Sequence, residues 1–105
     1  MTTFDDRKDA FEKKHAHDEE LAFKTVARRN KLLGLWVAEQ LGMTGDAAEA
    51  YAREVVAADL EEAGDADVIR KVSADLKAKG HDISEHRIQT KLAEFMETAK
   101  KQLTA

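Results

Sequence analysis

The sequence predicts an all-α fold: a four-helix bundle with an N-terminal arm that is disordered or marginally helical when alone. Three observations lead there. The 105 residues include no proline and only five glycines, so helices are interrupted only where a glycine can end them. Hydrophobic residues make up 43% of the chain and aromatic residues 6%, which gives a core of small and aliphatic side chains suited to close helix packing. Apolar residues recur at helical spacing in four blocks separated by short connections, and short connections make neighbouring helices antiparallel. The length is that of one domain.

Residues 1–18 carry Met1, Phe4, Ala10, Phe11 and Ala16 as their apolar side chains, too few to bury much surface. Phe4 and Phe11 stand two helical turns apart and share a face if the segment becomes helical. The arm is therefore helix-competent when given a groove to fill. The first core helix runs over about 17–41, with Ala22, Val26, Leu33 and Val37 on one stripe, Leu32, Leu35 and Trp36 beside it, and Gly42 as terminator. Asp46 is expected to cap the second helix, with Glu49 completing a capping box, and Ala48, Tyr51, Ala52, Val55 and Ala58 or Leu60 facing inward. Gly64 should close it. Asp65 should cap a third helix that buries Val68, Ile69, Val72 and Leu76 and stops at Gly80. The fourth starts after Ser84 and carries the stripe Ile88, Leu92, Phe95, Ala99 and Leu103. The arm, 1–19, and the bundle, 20–105, are the two expected units.

The net charge of −4 is unevenly spread: −3 over residues 1–20, +3 over 21–44 and −4 over the remainder. One short basic segment between two acidic ones makes a poor nucleic-acid binder, since affinity for phosphate needs several cations on one face. The absence of cysteine excludes disulfides and thiolate metal sites. The N-terminus lacks a signal-peptide stretch, and no window approaches the ~20 apolar residues that span a bilayer, so a cytoplasmic address without direct membrane insertion is expected.

Traces of catalysis are weak, and no enzyme is expected. His15 and His17 point about 200° apart on a helix and could not share a metal ion there; they read as solvated surface or as a pH-responsive element of a binding segment. Asp18-Glu19-Glu20 and Glu61-Glu62 are adjacent acids that diverge on a helix. No glycine-rich phosphate loop is present, and no cofactor is expected. Lys24, Arg28, Arg29 and Lys31 form the one basic run. It reads as the polar face of the first helix, or as a surface that pairs with an acidic segment of this chain or of a partner. Trp36 reads as a core anchor.

These residues support an interaction module, and a generic helical adaptor or regulator would satisfy them. A resemblance goes further. Thr3-Phe4-Asp5-Asp6-Arg7, Ala10-Phe11-Glu12, Ala16-His17-Asp18 and Ala27-Arg28-Arg29-Asn30-Lys31-Leu32-Leu33-Gly34-Leu35-Trp36 resemble the zeta subunit family, the ATPase inhibitors of alphaproteobacterial F-type ATP synthases. Tyr51-Ala52, Glu54-Val55-Val56, Asp59, Glu62-Ala63-Gly64, Asp67-Val68 and Arg70-Lys71-Val72 extend the likeness along the chain. The resemblance implies an arm that becomes helical in an interface between catalytic subunits and jams hydrolytic rotation. Phe4 and Phe11 would be its anchors, with Asp5, Asp6, Arg7, Glu12, Lys13 and Lys14 at the polar rim. It also points to weak adenine-nucleotide binding by the bundle, for which Arg28, Arg29 and Lys31 are the clustered cations, and to a place peripheral to the inner membrane through the ATP synthase. His15 stands where close relatives are expected to carry an aromatic residue, which implies weaker or pH-sensitive inhibition.

Overall fold

A computed structural model describes residues 3–59 and 64–104, with side chains from residue 19 onward. Four helices follow one another: α1 (Thr3–Gln40), α2 (Gly45–Ala58), α3 (Ala66–Ala78) and α4 (Glu85–Thr104). At 1.5 Å per residue α1 is about 57 Å long and α4 about 30 Å, so α1 runs well past the end of the bundle it helps to build. It packs against α2 on one side and α4 on the other, while α3 closes the remaining face. No Cα of α2 lies within 8 Å of one of α4 among the described residues, so those two helices are not neighbours and each packs on α1.

The expected stripes form the core. Leu33, Val37, Tyr51, Ala52, Val55, Val68, Val72, Leu76, Ile88, Leu92 and Ala99 are buried, and Trp36, Ile69 and Phe95 pack against them half-buried. Each fully buried aliphatic side chain contributes roughly 1.5–3 kcal/mol. α1 and α3 end in the same motif. After α1, the Met43 N–H donates to the Ala38 carbonyl (2.9 Å) and the Gly42 N–H to the Glu39 carbonyl (3.1 Å). After α3, His81 and Gly80 repeat the pair onto Leu76 and Lys77. Gly42 and Gly80 both adopt φ of 79°, the left-handed conformation this closure needs. The Ser84 Oγ accepts from the Arg87 N–H (3.1 Å), capping α4 as expected.

Local chemistry differs from expectation at three helix ends. The N-cap of α2 is Thr44, whose side chain makes no capping bond, and Asp46 lies inside the first turn. There its charge favours the helix dipole, but its carboxylate cannot reach back. Glu49 does not complete a box; its carboxylate lies 3.7 Å from the Lys31 ammonium. α2 ends at Ala58 with Asp59 as its cap, so Gly64 does not terminate it and instead turns the chain, at φ 89°, toward α3. Leu60 lies outside the described residues. Asp65 holds the N-cap position of α3 in an α conformation, not the extended one a capping side chain uses. Its carboxylate accepts instead from the Arg29 guanidinium at 2.8 Å.

Arg29 is therefore not on the polar face of α1. It is 5% exposed, and its Nε and Nη2 donate to the Asn30 Oδ1 at 3.0 and 2.9 Å. The pair with Asp65 ties α1 to the start of α3, 36 residues away in the chain. Thr25, Asn30, Gly34 and Ala38 join the buried face of α1, and Ala22 leaves it, because the bundle ends near that turn. Gly34 has no side chain for a simple reason: a Cβ there would lie 2.7 Å from the Ala52 Cα, which lets α1 and α2 meet backbone to backbone.

A second polar cluster joins α2 to α3. The Tyr51 hydroxyl donates to the Asp75 Oδ2 at 2.7 Å, and the Lys71 ammonium donates to Asp75 and Glu54 while lying 5.3 Å from the centre of the Tyr51 ring. Burial, then the Asp75 hydrogen bond and the Asp75 and Glu54 charges, hold the phenol far above its ordinary value of 10.0. Burial alone would lower the Lys71 pKa, but its bonds to Asp75 and Glu54 and their charges raise it overall.

Two predictions follow from this packing. Gly34→Ala should destabilise the fold by about 1–2 kcal/mol, overpacking against backbone outweighing the better helix propensity of alanine. Thermal unfolding should show a clearly lowered midpoint, and an unchanged or raised one would contradict the close approach. Both raised groups, Tyr51 and Lys71, bind protons more tightly in the folded state. Their stabilisation is complete below about pH 10 and is lost as pH rises through the alkaline range. Urea unfolding between pH 7 and 11 should show that loss, and Tyr51→Phe should make it shallower.

Candidate partner-binding face

The sequence-selected arm residues Phe4, Asp5, Asp6, Arg7, Phe11, Glu12 and Lys14, with Lys13, His15 and His17, all fall on the N-terminal half of α1. Their side chains lie outside the described residues, while their backbone is helical from Thr3 onward, the helical one of the two states expected for the arm. The backbone places them on the same helix as Arg28, Arg29 and Lys31, with no break between Thr3 and Gln40. Arm and core are thus carried on one element.

From residue 19 onward the outer face of α1 can be read side chain by side chain. Lys24 pairs with Glu20 at 3.0 Å, one turn earlier, with both groups about 60% exposed. Arg28 is exposed and makes no hydrogen bond or ion pair among the described residues. Lys31 reaches Glu49 of α2. The three nucleotide candidates are therefore not brought together: Arg28 and Lys31 share a surface, while Arg29 is buried and committed to Asn30 and Asp65.

Phe23 belongs to none of the stripes that helical periodicity marks out. It is 62% exposed, the single large hydrophobic so exposed among the described residues. It borders a cleft of about 380 Å³ lined by Lys24, Ala27, Arg28, Lys31, Val56 and Leu103. α1, α2 and α4 all contribute to it. A signal for Phe23 was present: it lies one residue off the stripe of Ala22 and Val26, in a run of cations. Beside it, Leu21, Ala22, Thr25, Val26, Met96, Lys100 and Thr104 line an apolar groove where α1 leaves the bundle.

The described residues hold no group of three or more His, Cys, Asp or Glu side chains able to bind a metal. No described helix is long and apolar enough to cross a membrane. The Tyr51 phenol is held protonated by burial and by Asp75, which suits it to structure and not to nucleophilic attack.

Comparison with known proteins agrees with this arrangement. A solved solution NMR structure is 57% identical, covering 77% of this chain and 92% of its own, with a TM-score of 0.69. No curated protein sequence matches the chain. The family model for ATPase inhibitor subunit zeta matches residues 1–102, nearly the whole length. A chain built as a four-helix bundle, with one helix running beyond it and matched to that model from end to end, belongs to the ATPase inhibitor subunit zeta family.

Proposed function

We propose that this chain inhibits ATP hydrolysis by the F-type ATP synthase, its N-terminal arm entering an interface between catalytic subunits as a helix and blocking hydrolytic rotation. The observation that carries the reading is the continuity of α1 from Thr3 to Gln40, in a chain whose family is that of the zeta inhibitors. An arm on the same helix as Leu33 and Val37 is anchored by the bundle core and projects from it. Residues 1–19 act as the inhibitory element, with Phe4 and Phe11 as apolar anchors and Asp5, Asp6, Arg7, Glu12 and Lys14 as polar contacts. Residues 20–105 present it. The protein then works in the cytoplasm, peripheral to the inner membrane through the ATP synthase, as a regulator and not as a catalyst.

Weak adenine-nucleotide binding belongs to the same reading. With Arg29 committed to Asp65, Arg28 and Lys31 are the cations left to meet a phosphate, and two exposed cations make a weak site.

The test is ATP hydrolysis by the isolated catalytic sector of a cognate F-type ATPase, titrated with the full chain and with a chain lacking residues 1–19. The full chain should inhibit and the shortened one should not, while circular dichroism shows it still helical. Equal inhibition by both would remove the arm from the mechanism, and inhibition by neither would leave the adaptor reading. Repeating the titration from pH 6 to 8 addresses His15, whose role a flat profile would exclude.

A further inference from the structure

We propose that the cleft beside Phe23 is a second docking point, on the bundle itself, for an acidic amphipathic segment of the catalytic sector. The inference rests on the inhibitor reading and extends it from the arm to the body of the protein. Phe23 is 62% exposed in a chain whose other described large apolar side chains are buried or half-buried. A solvated phenylalanine gives the folded monomer little, and aromatic side chains on a surface are frequent anchors of an interface. Behind it the cleft has an apolar floor of Ala27, Val56 and Leu103, contributed by α1, α2 and α4.

The rim chooses the partner's chemistry. Lys24, Arg28 and Lys31 all rise from α1, each about one turn from the next. Arg28 has no hydrogen-bond or ion-pair partner among the described residues, so its planar guanidinium is available for a bidentate carboxylate. Among the described residues Lys24 and Lys31 pair with exposed glutamates, contacts that exchange readily for a partner's. An apolar floor inside a cationic rim fits a segment presenting a leucine- or isoleucine-type side chain between carboxylates.

Continuity supplies the reason for this partner. Phe23 lies four residues, about one turn, beyond the arm, and Phe11 and Phe23 are separated by about 18 Å along one helix. Twelve residues turn the helix by about 120°, so a partner that grips the Phe11 face meets Phe23 on the adjoining side of the same helix. The two contacts add because the second is made within an already bound complex.

Full-length Phe23→Ala and Arg28→Glu test the cleft, with Phe23→Trp and Arg28→Lys as conservative partners, all titrated against ATP hydrolysis by the isolated catalytic sector. The half-inhibitory concentration should rise roughly ten- to thirty-fold for the first two. It should stay near the parent value for the conservative pair, and all four should unfold at the parental temperature. Raising salt should weaken the parent more than Arg28→Glu. Unchanged potency in Phe23→Ala and Arg28→Glu would overturn the proposal. If deleting residues 1–19 still abolished inhibition in that case, the inhibitor reading would stand without it. A dimer of the parent that Phe23→Ala dissolves, with inhibition unaltered, would give the cleft to a second copy and also overturn it.

Discussion

The contact between Gly34 and Ala52 sets the geometry of the molecule. With no Cβ on α1 at that point, the two helix backbones meet directly, and Leu33, Val37 and Ala38 are drawn into the core around it. A larger residue would push α2 away from α1 and open the space that Tyr51 and Val55 fill. Because α1 also carries α4 on its other side, this one approach decides how the whole bundle sits on the helix that bears the arm. The Phe23 cleft lies where side chains of α1, α2 and α4 come together.

Polar groups fix what the apolar stripes leave free. Aliphatic stripes tolerate small slides, whereas a buried guanidinium does not, because an unpaired charge in the core costs several kcal/mol. Arg29 reaches Asp65 from the middle of α1 and so locates the start of α3 on the bundle. Tyr51, Asp75 and Lys71 do the same between α2 and α3, where apolar contact is thinner. Lys91 lies over the rings of Trp36 and Phe95 and pins α4 to α1. These three junctions thus have a directional contact beside the hydrophobic one.

Much of this was legible in the residues. The core positions Leu33, Val37, Val55, Val68, Val72, Leu76, Ile88, Leu92 and Ala99 follow from helical periodicity, because a face buried along its length must repeat every three to four residues. Gly42, Gly80 and Ser84 follow from the chemistry of helix ends. The burial of Arg29 was not legible, since a charge is buried only when a partner exists, and Asp65 is 36 residues away. The same long-range pair took Asp65 from its expected capping role. Asp46 misled by two positions, a shift local pattern does not resolve when glycine and threonine precede it. An inhibitory role for the arm is implied by resemblance and not by physics: two phenylalanines at one helical spacing indicate a binding face without naming what binds.

The account stands on the arm reaching the catalytic sector. A photo-crosslinking residue placed at Phe11, and separately at Ala74 on the exposed face of α3, would test this in the complex formed during ATP hydrolysis. Capture of catalytic subunits from position 11 and not from position 74 is the predicted result. Capture from position 74 alone would mean that the bundle binds by another face and that the arm is not the inhibitory element.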